Sequence, residues 1–149
     1  MAAGHKQCTI CGIVKPRTEF EKNRRACKSC KRKQVRVFHN SSYQNFLKKK
    51  LNDSKARCKR HKIDINIDIN HLVELYDNQK GKCALTGFPM HHTDEFPDFA
   101  ISIDRRDTSL GYEKGNCRLV CVRANMIRNE LTDEILVWWA RAIVNNSES

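Results

Sequence analysis

Residues 102–121 have the sequence SIDRRDTSLGYEKGNCRLVC, and this stretch decides which fold we expect around it. Residues 100–104 favour a short strand that ends in an acidic residue, and residues 116–121 favour a second strand. The loop between them contains Gly111, which suits a turn with a positive φ. The pattern therefore predicts a two-stranded hairpin with a long loop.

A helix is predicted directly after this hairpin, over the residues 122–131 that read VRANMIRNEL. The order strand, loop, strand, helix can bring Asp104, at the end of the first strand, close to Asn125 in the helix. Asn116 is placed to hold the loop. Two oxygen ligands with open coordination positions are typical of a Mg²⁺ site that borrows phosphate oxygens from its substrate. The stretch fits either an ordinary surface loop or the catalytic hairpin of a nuclease.

The net charge of +11 is distributed unevenly along the chain. Residues 1–62 carry 19 Lys/Arg and 3 Asp/Glu, whereas residues 63–149 carry 9 Lys/Arg and 14 Asp/Glu. This asymmetry predicts a polyanionic partner, nucleic acid, bound mainly by the N-terminal part. The alternative, a lysine-rich solvated helix, accounts for one basic run but less well for nineteen basic residues across a cysteine-rich segment and a helix.

Four cysteines near the N-terminus have the spacing Cys8-x2-Cys11-x15-Cys27-x2-Cys30. Two C-x2-C pairs at this distance predict one tetrahedral four-thiolate zinc site per chain, which is structural because no coordination position stays open. A redox dithiol pair or four buried thiols are the alternatives, but so short and charged a segment needs a metal to fold. Basic residues surround these cysteines, Lys22 among them, and seven are the predicted DNA-binding residues: Arg24, Arg25, Lys28, Lys31, Arg32, Lys33 and Arg36.

The length and the apolar pattern limit the class of protein. A chain of 149 residues forms one modest core, or a core with a small attached module. No run of about 18 apolar residues occurs, and the N-terminus lacks the apolar stretch of a signal peptide. We therefore expect no membrane association and a cytoplasmic location, in a bacterial host or a phage-infected cell, where thiols stay reduced.

The middle of the chain predicts two helices and a strand. Residues 41–61 combine a short apolar stripe with basic residues that would lie along a DNA backbone. Residues 63–70, IDINIDIN, alternate strictly between apolar and polar, as strands do. Asn70 suits the N-cap of a helix through residues 71–80, and Gly81 ends that helix.

The C-terminal residues 132–144, TDEILVWWARAIV, predict a helix that begins after the N-cap Thr132. Two acidic residues in its first turn suit the positive end of the helix dipole. Its apolar residues follow helical spacing and predict core packing with some dimer contact: Ile135, Leu136, Trp138, Trp139 and Ile143.

Four segments of the chain together resemble the HNH endonucleases, which have a ββα-metal hairpin. The segments are the four-cysteine segment, GKCALTGFPM at 81–90, the stretch at 102–121 and NMIRNEL at 125–131. They are especially similar to phage-encoded members and to the rare-cutting restriction type with a four-cysteine knuckle in front. The resemblance covers most of the chain. It implies a small, mostly helical α+β fold with a zinc-knuckle DNA-binding module over 1–40, a basic linker helix and helical segment over 41–80, and a nuclease core with a C-terminal helix over 81–149.

The resemblance also implies roles for single residues. Asp104 and Asn125 match the ligands of a catalytic Mg²⁺, with Mn²⁺ as an alternative metal, and Asn116 matches the Asn that orders the loop. The family usually has a general-base His where this chain has Arg105, which we expect to clamp the scissile phosphate instead. The base must then be another group. The candidates are Tyr112, which is equally well explained as a packing residue, His91, His92, Asp107 or a metal-bound water.

A second departure from the family concerns zinc. Many relatives have a further C-x2-C pair on each side of the hairpin, but here these positions read Cys83-x2-Thr86 and Cys121-x2-Ala124. We expect Cys83 and Cys121 to be buried thiols of the core. A substitute metal site built with Cys58, His61 or Cys117 is the less favoured alternative.

The predicted function is a metal-dependent, site-specific endonuclease that hydrolyses phosphodiester bonds in double-stranded DNA, acting as a homodimer. A free-standing phage-type homing enzyme is ranked first, ahead of a restriction enzyme or a junction resolvase. A zinc-containing DNA-binding protein with an inactive hairpin is the alternative from another class, because the HNH histidine is missing. An RNA substrate stays open, since phosphate contacts do not distinguish the two sugars.

Overall fold

The chain folds into two units, residues Met1–Ser41 and Ser42–Ser149. The structure is a computed structural model, and it describes residues 4–93 and 95–148. Both units combine a two-stranded antiparallel sheet with helices. The predicted small, mostly helical α+β fold with a four-cysteine cluster is confirmed.

The first unit is a short hairpin followed by one exposed helix. Strands β1 (His5–Gln7) and β2 (Val14–Pro16) pair antiparallel, and helix α1 spans Lys28–Asn40. The buried apolar side chains of this unit are those of Cys8, Phe20 and Cys27, while α1 buries none. So small a cluster cannot hold the unit together by apolar burial alone, which agrees with the need for a metal. The sequence patterns had not indicated α1.

Helix α2 (Tyr43–His61) opens the second unit and confirms the helix predicted over 41–61. The Ser42 hydroxyl caps it by accepting a hydrogen bond from the Asn45 amide, and Lys62 ends it in a left-handed conformation. From Leu47 onward the buried side chains follow at intervals of four, three and four residues, so one face enters the core, while Lys48, Lys55 and Lys59 are exposed. These buried residues are Phe46, Leu47, Leu51, Ser54 and Cys58.

The predicted strand over 63–70 is wrong. Within these residues, all of which the structure describes, only Ile65 pairs, through an isolated bridge to Tyr112. Helix α3 (Ile69–Asn78) begins inside the segment, and its N-cap is Asp68 instead of the predicted Asn70. The Asp68 carboxylate accepts a hydrogen bond from the His71 amide at 2.8 Å, because a residue in extended conformation three positions earlier can reach that N–H.

The stretch that decided the prediction forms a ββα unit. Strand β3 (Ile101–Arg105) pairs antiparallel with β4 (Cys117–Cys121) in a register that sets Asp104 opposite Arg118. Helix α4 (Val122–Arg128) follows β4 without a loop. The hairpin prediction is confirmed, although β3 and β4 each begin one residue later than predicted. Helix α4 ends three residues earlier than predicted. Residues from α2, α3 and the hairpin form the centre of the core: Leu47, Leu72, Ile101, Leu119 and Val120.

The C-terminal helix α5 (Asp133–Ser147) has the predicted N-cap, since the Thr132 hydroxyl accepts a hydrogen bond from the Ile135 amide. The expected core packing is wrong, because α5 buries none of its described residues. Trp138 and Trp139 are 61% and 51% exposed. The helical spacing was correct, but spacing alone does not say whether another element covers the apolar face. Among the described residues, no helix is long and apolar enough to cross a membrane.

Gly111 has a different role from the predicted one, since it is absent from the positive-φ residues of the described chain. A side chain at this position would place its Cβ 2.5 Å from the carbonyl oxygen of Asp64. The glycine is therefore required by the close approach of two backbone segments. The Tyr112 amide donates a hydrogen bond to the same carbonyl at 2.8 Å, which holds the hairpin loop against the segment before α3.

We predict that Gly111→Ala lowers the free energy of unfolding by ~1–3 kcal/mol, because the backbone of residue 64 must move to admit a methyl group. Gly115→Ala is the matched control, since a Cβ there meets nothing within 4 Å. Urea denaturation followed by circular dichroism measures both. Equal stability of the two variants would contradict the close contact.

Candidate active site and candidate zinc centre

The four N-terminal cysteines converge in the first unit. Their sulfur atoms all lie within 4.8 Å of one another, and they are the only such group of metal-binding side chains in residues 4–93 and 95–148. A tetrahedral zinc with Zn–S bonds of 2.3 Å separates its sulfurs by about 3.8 Å, so this cluster fits the ion. Cys8, Cys11, Cys27 and Cys30 would hold it.

Hydrogen bonds prepare these sulfurs to bind a cation. The Cys11 and Cys27 amides lower the pKa of the Cys8 thiol, and the Cys27 amide lies 3.3 Å from the Cys8 Sγ. The Ser29 hydroxyl, 3.2 Å from the Cys27 Sγ, lowers the pKa of Cys27 to about 5. The Cys27 side chain in turn raises the pKa of Cys30 to about 12. Amide donors that stabilise a thiolate favour the form that binds zinc.

The predicted DNA-binding residues lie on the surface of this unit. Four of them, Arg24, Arg25, Lys28 and Lys31, line a shallow pocket of about 250 Å³ beside the start of α1. Seven are exposed, and their charges face solvent: Arg24, Arg25, Lys28, Lys31, Arg32, Lys33 and Arg36. Exposed cations around a helix start suit phosphate oxygens.

In the second unit, the ββα residues surround a cleft of about 620 Å³. Four of the predicted catalytic residues line it: Asp104, Arg105, Tyr112 and Asn125. Three further lining residues had not been predicted as part of this site, Arg57 and His61 from the end of α2 and Arg128 from α4. His61 had been considered only as a ligand of a substitute metal site, and Arg128 lies in the NMIRNEL segment without a predicted role. The packing of α2 against β3 brings Arg57 and His61 to the hairpin.

Asp104 is buried and lies between two buried guanidinium groups. Its Oδ2 accepts a hydrogen bond from Arg118 Nε at 2.8 Å, and its Oδ1 accepts one from Arg128 Nη1 at 3.1 Å. Arg118 also forms a bidentate pair with Asp133 at 2.6 Å for each bond. This pair lowers the pKa of Asp133 and raises that of Arg118. We call Asp104, Arg118, Arg128 and Asp133 the arginine–aspartate network.

The donor chemistry of Asp104 and Asn125 fits a Mg²⁺ ion. A carboxylate has about four lone-pair positions, and the network uses two of those on Asp104. The Asn125 amide nitrogen donates to the Ser102 hydroxyl at 2.9 Å, a bond that does not use the amide oxygen. Two protein ligands leave most positions of a Mg²⁺ ion open, and water and substrate phosphate oxygens usually fill such positions.

Asn116 holds the hairpin loop. Its amide nitrogen donates to the carbonyls of Asp107 and Gly111, and its amide oxygen accepts from the Asp107 amide, each at 2.9 Å. The Asp107 carboxylate is exposed and accepts hydrogen bonds from the hydroxyl and the amide of Ser109, which lower its pKa. Asp107 is thus engaged in the turn of the loop and does not line the cleft in the described chain.

Arg105 and Tyr112 pack against each other at the cleft. Arg105 Nη1 donates to the carbonyls of Thr108 and Leu110, which leaves Nε and Nη2 for a ligand. The guanidinium carbon lies 5.2 Å from the centre of the Tyr112 ring. The Tyr112 side chain is 4% exposed, and its hydroxyl accepts a hydrogen bond from Arg57 Nη2 at 2.6 Å. The Tyr112 ring is thus packed in the core, and its hydroxyl is engaged by Arg57.

The two predicted loop histidines lie apart from this cleft. His91 forms a bridge with Ala100 and contacts the rings of Phe96 and Phe99. Of the histidines that the structure describes, only His61 lines the cleft. Cys83 and Cys121 are buried as expected, and the Cys121 amide lies 3.2 Å from the Cys83 Sγ. Burial raises the pKa of Cys121 to about 12.

No family profile matches the chain. An uncharacterized 29.0 kDa protein from the dda-modA intergenic region of Enterobacteria phage T4 is 32% identical over 91 residues, which cover 61% of this chain and 35% of that protein. The chain thus spans about a third of the length of this relative. A structure of the rare-cutting HNH restriction endonuclease PacI is similar over 95% of this chain and 94% of its own, with a TM-score of 0.47 and 16% identity.

We predict that the purified protein contains one zinc per chain, and that Cys11→Ser removes it, because three thiolates bind the ion far more weakly than four. Cys83→Ser should keep the zinc, since Cys83 lies in the second unit. Metal analysis by mass spectrometry measures the ratio. Two zincs per chain, or loss of zinc from Cys83→Ser, would show that the buried cysteines also bind metal.

Proposed function

We propose that the protein is a metal-dependent DNA endonuclease of the HNH type that cuts at specific sites in double-stranded DNA. The observation that carries the proposal is the cleft of the ββα unit, in which two carboxylates, Asp104 and Glu130, and two side-chain amides lie beside three arginines. Arginines bind phosphate oxygens, and oxygen ligands bind divalent metals. A site for a phosphodiester needs both.

The arginines of the cleft bind and orient the scissile phosphate. Arg105 has Nε and Nη2 free of the loop carbonyls and can form a two-point contact with a phosphate. Arg57 is held at the cleft by the Tyr112 hydroxyl. Asp104 and Asn125 would hold the Mg²⁺, which when bound supplies positive charge to the phosphate and to the leaving oxygen.

We assign the general base to His61. An imidazole is the side chain that most often takes a proton in catalysis, and His61 is exposed at the end of α2 where it lines the cleft. It would accept the proton of the water that attacks the phosphorus in line. The hydroxyl of Tyr112, the other candidate at the cleft, is buried and already bonded to Arg57.

The first unit supplies the affinity for DNA, and the ββα unit supplies the cut. A protein that cuts both strands needs two such sites, so we propose a homodimer. Among the possible roles we propose a phage-type homing enzyme ahead of a restriction or junction-resolving one, and the source of the 32% identical relative, a phage, is the support for this order.

The inactive DNA-binding protein remains the second candidate, because Arg105 replaces the usual histidine and both oxygens of Asp104 are bonded to arginines. Such a protein would bind DNA through the first unit with the hairpin serving only as a scaffold. The histidine substitutions below separate the two candidates, since an inactive protein gives no rate to lose.

We predict that His61→Ala lowers the rate of DNA cleavage by ~10²–10⁴-fold, the usual contribution of a general base. His92→Ala is the control and should cut at nearly the wild-type rate. Single-turnover cleavage of a plasmid measures both, and DNA binding should be unchanged in each. A nearly normal His61→Ala beside an inactive Tyr112→Phe would assign the base to Tyr112 instead.

We also predict that a triple variant of the first unit weakens DNA binding, and this variant combines Lys31→Ala, Arg32→Ala and Lys33→Ala. The slope of log association constant against log salt concentration should become less steep by about 2–3, because fewer counterions are released on binding. The matched control combines Lys80→Ala, Lys82→Ala and Lys114→Ala, three exposed lysines of the second unit. Fluorescence anisotropy at several salt concentrations gives both slopes. Equal losses of DNA affinity in the two triple variants would show that binding depends on the total charge of the protein and not on the basic residues of the first unit.

A further inference from the structure

We propose that α5 is the surface through which two copies of this chain associate. The proposal deepens the homodimer of the proposed function by naming its interface. The face of α5 formed by Leu136, Trp139, Ala140 and Ile143, together with Ile127 and Leu131, lines an apolar groove of about 400 Å³. We call these six residues the α5 groove.

The apolar residues of α5 surround the helix and are uncovered. In a 15-residue helix, the described residues include none that is buried, although most of its middle is aliphatic or aromatic. A helix that is apolar on all sides is normally buried in a core or an interface. The large exposed side chains here are those of Ile127, Ile135, Val137, Trp138, Trp139, Ile143 and Val144, from 46% to 65% exposed.

The total exposed apolar area of α5 and Ile127 is comparable to one side of a stable dimer interface. Seven large apolar side chains that are each about half exposed leave roughly 100 Å² apiece, or ~700 Å² over all sides of the helix, of which an interface at the α5 groove buries the part on that face. A standard protein interface buries about 800 Å² on each partner. Exposed apolar patches on soluble monomers are usually smaller than this, at ~300–600 Å². The area therefore calls for a protein partner.

The charges around α5 exclude the other classes of partner. The α5 groove contains no charged side chain, so it offers nothing to the phosphates of DNA. From Asp133 to Glu148 the helix region carries three acidic residues and one basic residue, Arg141. A helix that lies on an anionic membrane surface has the opposite balance, with lysines and arginines beside its apolar face.

A second copy of α5 complements the groove. If two α5 helices cross antiparallel about a two-fold axis between residues 139 and 140, Trp139 of each copy faces Ala140 of the other, and Leu136 faces Ile143. Large side chains then meet small ones, and both chains use the same patch, as a two-fold interface requires. In the antiparallel arrangement the positive end of each helix dipole also lies near the negative end of the other, which is electrostatically favourable.

The position of α5 is fixed before association. Asp133, its first residue, is bonded to Arg118 by two hydrogen bonds of 2.6 Å and approaches Arg128 at 3.4 Å. A helix anchored in this way presents a preformed surface, so association loses less conformational entropy. The same anchor connects the interface to Asp104 through Arg118.

The test uses Ala140→Glu in the full, zinc-loaded chain. Ala140 is exposed, so the substitution leaves the fold intact, but in the dimer it sets a carboxylate against Trp139 and near its own copy. Sedimentation equilibrium should show a dimer for the wild type and a dissociation constant about 100-fold weaker for the variant. Ala142→Glu, the same change on the opposite side of the helix, should dimerise nearly normally.

Tryptophan fluorescence supplies a second readout. The chain has two tryptophans, and both lie in α5, so the emission reports this helix alone. The emission should shift to shorter wavelength as wild-type protein is concentrated, and the shift should be absent in Ala140→Glu. Neither measurement involves cleavage, so a nuclease that fails to cut and a dimer that fails to form are distinguishable.

Three results would overturn the proposal. The wild type could stay monomeric with solvent-exposed emission at every concentration. The monomer could show shielded tryptophans at high dilution, which would mean that the chain covers its own groove. Or Ala142→Glu could dissociate the dimer while Ala140→Glu does not, which would assign association to another face.

Discussion

The carboxylate of Asp104 lies between the guanidinium groups of Arg118 and Arg128, and all three side chains are buried. Charges removed from water are costly unless they are paired and hydrogen-bonded, so this grouping tolerates few other arrangements. Arg118 lies in β4 opposite Asp104, Arg128 ends α4, and Asp133 begins α5. One set of ionic contacts thus fixes the hairpin register, the angle of the following helix and the start of the last helix.

The network also bears on the proposed binding of a phosphate diester in the cleft. Its two arginines balance Asp104 and Asp133, so the carboxylates do not repel an anion from the cleft. Arg105 and Arg57 then add positive charge that no carboxylate in the described chain balances by an ion pair. The proposed phosphate binding would use these two cations, although the carboxylate of Glu130 also lines the cleft, and a divalent metal would take further ligands from that phosphate.

Sequence patterns predicted the local elements better than their packing. The alternation and the turn residues around 102–121 predicted the hairpin within one residue, because β3 and β4 are paired by residues close in the chain. The same alternation failed over 63–70, since α3 begins there and the described residues offer it no neighbouring strand beyond one bridge at Ile65. A period of two describes which side chains could face a core, but a strand also needs a partner.

The candidate site was predicted in part for the same reason. Asp104, Arg105 and Asn125 belong to one continuous stretch, so their proximity follows from local structure. Arg57 and His61 reach the cleft from α2, more than 40 residues earlier, and no short pattern marks such a contact. Whether these groups cut DNA is decided most directly by incubating the wild type and Asn125→Ala with supercoiled plasmid, with and without added Mg²⁺. We predict cleavage by the wild type only when Mg²⁺ is present, and little or none by the variant. No cleavage under any condition, or equal cleavage by both proteins, would contradict the account.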